Sequence, residues 1–254
     1  MASLEENILR NSKRIVIKVG SSLIIGNNSN LINTKFLTKL VTEITKFKNS
    51  GKEILLVSSG ALALGKKSLG IEKKKLKVSE KQAAASVGQV LLINAWKKAF
   101  LKYNKQCGQI LLTHLDAEIR SSSINARNTI EALIKLNSIP VINENDTIAT
   151  QELRYGDNDQ LAARVAQITS SDLLILLSDV DGLYTSNPKK NNNAKLVKYI
   201  RKITKTIEKS SENTSSSIAV GGMYTKIKAA KIALSSGCNM LITRGNKESP
   251  ISSI

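Results

Sequence analysis

Apolar residues recur along the chain in two rhythms. Short unbroken runs are the first: RIVIKV at 14–19, EILLV at 53–57, IPVIN at 139–143 and DLLILL at 172–177. Their length and β-branched content predict buried strands. Segments 109–113 and 239–243 read as two more strands. In the second rhythm apolar positions return every three or four residues, which predicts helices over 33–49, 59–67, 79–104, 122–136, 159–168 and 223–235. Gly51 and Gly237 follow two of them as stop signals. The long helix from Ser79 has Gln82 three residues on, the spacing of a capping box. Polar stretches at 185–195 and 210–217 read as loops. Strands alternating with helices predict an α/β fold, a three-layer αβα sandwich around a mainly parallel sheet.

Composition changes this picture little. The apolar runs are far shorter than the roughly 20 residues a membrane helix needs. The opening segment MASLEENILRNSKR has no apolar core of a signal peptide, so a cytoplasmic location is expected. Cys107 and Cys238 lie alone in apolar segments, as small core residues in a reducing compartment do. The net charge of +18 is the one unusual quantity. It raises the reading of a basic nucleic-acid-binding protein. The excess is mainly Lys, spread through helices, while Arg and aromatics for forked contacts and stacking are scarce. No specific nucleic acid is expected as a partner.

Ligands of parallel sheets bind at the carboxyl ends of the strands. After the first strand stand Lys18, Gly20 and Ser21, a turn whose N–H groups can face an anion. After the second, Ser59 and Gly60 open a helix, another anion-friendly end. Here Gly60 to Lys66 matches G-x-x-x-x-G-K. Position 67 is Lys where a P-loop needs Ser or Thr, and the intervening residues are Ala-Leu-Ala-Leu, so a P-loop is rejected. Two acidic clusters follow IPVIN: Glu144 to Thr147, and Tyr155 to Gln160. Together they fit a site for an ammonium group or a metal, and singly they also fit turns and helix caps. Ser178 and Asp179 follow DLLILL. Val220, Gly221, Gly222 and Met223 precede the helix that carries Lys226. His114 is the only histidine, and no G-x-S-x-G elbow supports a hydrolase. Trp96 and Phe100, four apart, suit core or subunit packing.

Taken in order, IVIKVGSSLI, VSSGALALG, KQAAASVGQ, NARNTIEALI, IPVINENDTIAT, YGDNDQLAA, LLSDVDGLYTSNP and GGMYTKIKAA resemble the glutamate 5-kinases of the amino acid kinase superfamily. The stretches run from about residue 13 to 245. Kinases of aspartate, acetylglutamate, carbamate or uridylate share the sheet without the INEND and GDND pair. The resemblance implies transfer of the ATP γ-phosphoryl to the side-chain carboxylate of L-glutamate, giving L-glutamyl 5-phosphate for proline synthesis. It implies Lys18 and Lys226 on the phosphates, Asp159 holding both lysines, and Ser59, Asp146 and Asn158 on glutamate. Gly20 and Ser21 would form a phosphate loop. Ser178, Asp179 and Val220, Gly221, Gly222, Met223, Tyr224, Thr225 and Lys226 would bind the nucleotide. Mg²⁺ would come with ATP, without a metal site of the chain's own.

The resemblance also implies a homodimer or homotetramer and hand-over of the product to glutamyl phosphate reductase. It implies one kinase domain over 1–254, a short form without the PUA domain that many members carry. Ala219-Val220 stands where the family often has Gly-Thr, and Ser178 where it has Thr. A related kinase with another carboxylate or phosphate acceptor, and an inactive regulatory kinase, are the alternatives within the superfamily.

Overall fold

In the computed structural model the described residues are 3–26, 31–72, 75–149, 158–186, 191, 193–212 and 222–254. Six strands form one sheet: β1 (Arg14–Val19), β2 (Glu53–Ser58), β3 (Cys107–Leu112), β4 (Ile139–Glu144), β5 (Leu173–Ser178) and β6 (Asn239–Arg244). Their order is β3-β4-β2-β1-β5-β6, and every pairing is parallel. The expected mainly parallel sheet is therefore wholly parallel. After β1 the chain builds outward on one side through β2, and it returns to the other side of β1 with β5. The β1–β5 boundary is thus the point where strand order reverses, the usual place for a ligand crevice.

The side-chain alternation of β1 assigns the layers. Ile15, Ile17 and Val19 point into one core, with Leu40 and Ile44 of α3 (Thr34–Asn49) and Leu92 and Trp96 of α5 (Val78–Leu101). Val16 points into the other core, with Ile130 of α7 (Arg120–Lys135), Leu161 and Val165 of α8 (Asn158–Ile168) and Ala229 of α10 (Met223–Ser235). β5 is buried along its whole length. Each of its large apolar side chains contributes about 1.5–3 kcal/mol by leaving water. Among the described residues, no helix is long and apolar enough to cross a membrane.

Several short elements carried too little periodicity to be read from the chain: α1 (Leu4–Asn11), α2 (Ser21–Ile24), α6 (His114–Glu118) and α9 (Lys205–Glu212). The start of α5 also differs from expectation. Its N-cap is Lys77, whose backbone N–H donates to Glu80 Oε2 at 2.7 Å. Ser79 lies inside the first turn, and Gln82 instead donates to the Ala149 carbonyl at 3.3 Å. The G-x-x-x-x-G-K stretch is a helix, α4 (Ala61–Ser68), entered through Gly60 at φ 117°. Gly65 serves packing. A Cβ there would lie 1.7 Å from the Ala84 carbonyl oxygen, and one at Gly88 would lie 1.8 Å from that of Ala61. The two glycines let the backbones of α4 and α5 touch.

Candidate active site

Lys18 lies next to last in β1, on the face of Val16. Period-two alternation therefore aims it at α8 and α10 rather than at α3 and α5. Asp159 lies in the first turn of α8, and Lys226 in the first turn of α10. The three side chains meet. Lys18 Nζ is 2.5 Å from Asp159 Oδ1, and Lys226 Nζ is 2.9 Å from Oδ2. The Thr225 hydroxyl lies 3.1 Å from the same Oδ2. All three charged residues are buried, Asp159 to 1% exposure. Burial by itself pushes the Asp159 carboxyl upward. The Lys18 and Lys226 ammonium groups outweigh it by charge and hydrogen bonding, and hold the carboxyl below its ordinary value. Both carboxylate oxygens face the lysines.

A second polar cluster adjoins it. Asn158 Nδ2 donates to Ser59 Oγ at 2.8 Å and to Asn143 Oδ1 at 2.8 Å. Asn143 Nδ2 donates in turn to Gln89 Oε1 at 2.7 Å. Trp96 Nε1 donates to Ser58 Oγ at 2.9 Å, beside this network. Trp96 is also core, stacked on Phe100 with centroids 6.0 Å apart. Of this cluster, Ser59 and Asn158 were expected from the chain. Asn143, Gln89 and Ser58 were not, although Asn143 and Gln89 stand inside the INEND and SVGQ stretches. An Asn within a strand and a Gln within a helix give no sign of their chemistry until the strand and helix are packed together.

Asp146 follows β4 in a cavity between Ala85, Ser86 and Gln89 of α5 and Glu144, Asp146 and Thr147. Burial pushes its carboxyl up to about 6. Gly20 and Ser21 make the entry to α2, with Gly20 N donating to the Leu177 carbonyl at 3.3 Å. Ser178 closes β5, and its hydroxyl donates to Asp179 Oδ1 at 3.1 Å. Gly222 caps α10, Met223 opens it, and Lys228 lies over the Tyr224 ring at 4.4 Å. Val220 and Gly221, like Tyr155 to Asp157, lie outside the described residues. Among the expected positions that are described, Lys18 and Ser178 lie near or at strand ends, and Gly20, Ser21, Ser59, Asp146 and Asp179 follow strands. Asn158, Asp159 and Gly222 to Lys226 lie at the starts of α8 and α10, on the side of the sheet where α2 and α4 also begin. Four helix starts aimed at one region add positive potential to that of the two lysines.

Two buried ammonium groups on a shared carboxylate, near the strand ends of a parallel sheet, make a preorganised positive centre with the chemistry to receive an anion. Residues 13–244 match the amino acid kinase family. The chain belongs to that family, in its glutamate 5-kinase branch. It is 51% identical over 246 residues to the glutamate 5-kinase of Pelagibacter ubique, covering 97% of this chain and 67% of that protein. It is 45% identical over 256 residues to that of Caulobacter vibrioides, covering 100% and 68%. The chain thus spans about two thirds of the length of these curated relatives. Other amino acid kinase folds resemble it in three dimensions. Superposition on UMP kinase from Ureaplasma parvum gives a TM-score of 0.64 at 19% identity, over 96% of this chain and 94% of that one. An isopentenyl phosphate kinase gives 0.63 at 17% identity, over 94% of each. At such identities the likeness is one of fold.

Proposed function

We propose that the chain catalyses ATP-dependent phosphorylation of the L-glutamate side-chain carboxylate, giving L-glutamyl 5-phosphate and ADP, the first step of proline synthesis. The observation that carries this reading is the Lys18–Asp159–Lys226 cluster, in a chain that belongs to the glutamate 5-kinase branch. A carboxylate oxygen of glutamate attacks the γ-phosphorus. The bond from that phosphorus to the β–γ bridging oxygen breaks, and ADP leaves. The acceptor is already ionised, so no base is required. The obstacle is charge, because an anion approaches a polyanion.

Lys18 and Lys226 neutralise charge on the transferring group as compact point charges that follow it across. Asp159 keeps both lysines in place and prevents two bare cations from repelling each other in a buried space. Asp146 pairs with the substrate ammonium, and Ser59 and Asn158 hydrogen-bond the amino acid. Gly20 and Ser21 form the phosphate loop, in which Ser21 offers its backbone N–H while that of Gly20 is held by the Leu177 carbonyl. Ser178, Asp179 and the stretch from Val220 to Lys226 hold the nucleotide. Mg²⁺ is carried on ATP as part of that substrate. In the same reading the chain is one kinase domain, works in the cytoplasm as a homodimer or homotetramer, and passes its labile acyl phosphate to glutamyl phosphate reductase.

The test is ADP release with Mg-ATP and, in turn, glutamate, aspartate, N-acetylglutamate and UMP. Turnover with glutamate alone is the expected result. Turnover only with another acceptor would reassign the substrate, and none with any of the four would remove the kinase reading.

A further inference from the structure

The amide cluster beside the lysines has a direction. Asn158 is 3% exposed. Its Nδ2 lies 3.4 Å from the Ser58 carbonyl oxygen, which can only accept. That contact turns the Asn158 nitrogen toward the sheet. The Asn143 oxygen must then face Asn158, and the Asn143 nitrogen must face away from it. The nitrogen finds Gln89 Oε1 at 2.7 Å, the shortest contact in the chain of amides. The acceptor-only Ser58 carbonyl sets the sense of the chain, and the short bond to Gln89 closes it at the other end. The two hydrogens of Asn158 Nδ2 are shared among Ser59 Oγ, Asn143 Oδ1 and the longer Ser58 contact. Asn158 Oδ1 is buried and has no hydrogen-bond partner among the described residues. A buried unpaired carbonyl oxygen is costly unless a ligand donates to it.

We propose that Gln89 is a positioning residue of the amino-acid site. By accepting from Asn143 it locks two buried amides so that Asn158 presents an oxygen, never an N–H, to the substrate. Gln89 lines the Asp146 cavity, and through Asn143 it connects that cavity to Asn158; a carbonyl oxygen there suits the ammonium group of an α-amino acid and no part of its carboxylates. The inference rests on the proposed glutamate reading and adds to it the group that Asn158 recognises. Gln89 reaches this position because α5 lies along the exit of β4. Gln82, two turns earlier on the same helix face, donates to Ala149 further along that exit. Without Gln89 the Asn143 nitrogen loses its acceptor, both amides can rotate, and Asn158 can turn an N–H toward the ammonium group.

The test is Gln89→Met, which keeps the length of the side chain without its acceptor. The glutamate KM should rise about tenfold, the scale of one misdirected hydrogen bond. The ATP KM and the inhibition constant of glutarate, which lacks the ammonium, should each stay within about twofold. In an Asn158→Ala background, where no amide remains to be oriented, Gln89→Met should change the glutamate KM by less than about twofold. Gln89→Leu carries the same expectations if the Met variant fails to fold. Equal effects in both backgrounds, equal losses for glutamate and glutarate, or an unchanged glutamate KM would each overturn the proposal. Absence of glutamate turnover in the unaltered protein is a different result and removes the substrate reading instead.

Discussion

Two carboxylates in this region, Asp159 buried and Asp146 half-buried, are treated oppositely by their surroundings. Asp159 sits between two lysines, and its carboxyl is held below the ordinary value. Asp146 sits in a cavity where burial pushes its carboxyl up to about 6. The first has its counter-charge supplied by the fold from β1 and α10, so it is ionised and rigid before any ligand arrives. The second is partly desolvated, and among the described residues no cation offsets the cost. Under the proposed function the difference separates two tasks. A group that must hold catalytic cations in place needs permanent partners, whereas a group that must recognise a cationic substrate gains from having its partner arrive with the ligand.

The largest effects should come from breaking the first arrangement. Lys18→Met or Lys226→Met should lower kcat about 10²–10³-fold, the scale of losing one electrostatic stabiliser, with the ATP KM moving much less. Asp159→Asn keeps the shape and leaves two buried cations without an anion. It should lower kcat similarly and destabilise the fold by about 3–5 kcal/mol, read by calorimetry. Combined with Lys226→Met its effect on kcat should be less than additive, because the residues act as a unit. A folded Asp159→Asn protein with near-normal kcat would mean that the residue holds nothing.

The second arrangement predicts a trade. Asp146→Ala should raise the glutamate KM by the equivalent of about 2–5 kcal/mol while sparing the ATP KM. The same site should oppose folding in the absence of ligand. A carboxyl raised in the folded state costs nothing below the ordinary carboxylate range, and the cost grows with pH until it is complete above about 6. Asp146→Asn should therefore raise the melting temperature of the unliganded protein at about pH 8 and leave it nearly unchanged at about pH 4. In the unaltered enzyme the glutamate KM should climb as pH falls through about 6, as the carboxyl is neutralised. A flat pH profile, or a loss of stability in Asp146→Asn at high pH, would erase the contrast with Asp159.

The smallest expected effect lies beneath the substrate side. Trp96→Phe removes the donor to Ser58 and should cost about 1 kcal/mol of stability. The melting temperature should fall by about 2–4 °C, with kcat preserved because the lysine cluster is untouched. A large kcat loss would show that the network under Ser58 and Ser59 reaches the phosphoryl centre.

By itself the chain determined the class of fold and the side of it that matters. Short unbroken apolar runs rich in β-branched residues fit strands covered on both faces, and alternation along RIVIKV already puts Lys18 opposite the face of Ile17. The family stretches carried Asp146, Asn158, Asp159 and Lys226 to the site, and the missing hydroxyl after Lys66 was enough to dismiss a P-loop. What the chain could not express was adjacency. Asp159 is equally at home as a cap in local terms, and only strand order brings it to lysines from distant segments. Gln89 and Gln82 look like ordinary helix residues, because a helix carries no record of which strand exit it will lie along. The start of α5 was misplaced for a related reason: several nearby residues satisfy a capping pattern, and packing against α4 through Gly65 and Gly88 accompanies the one that is used. Local pattern is written in nearest neighbours. The direction of a hydrogen-bonded amide, or the counter-charge of a buried carboxylate, is decided by residues that meet only after the sheet has formed.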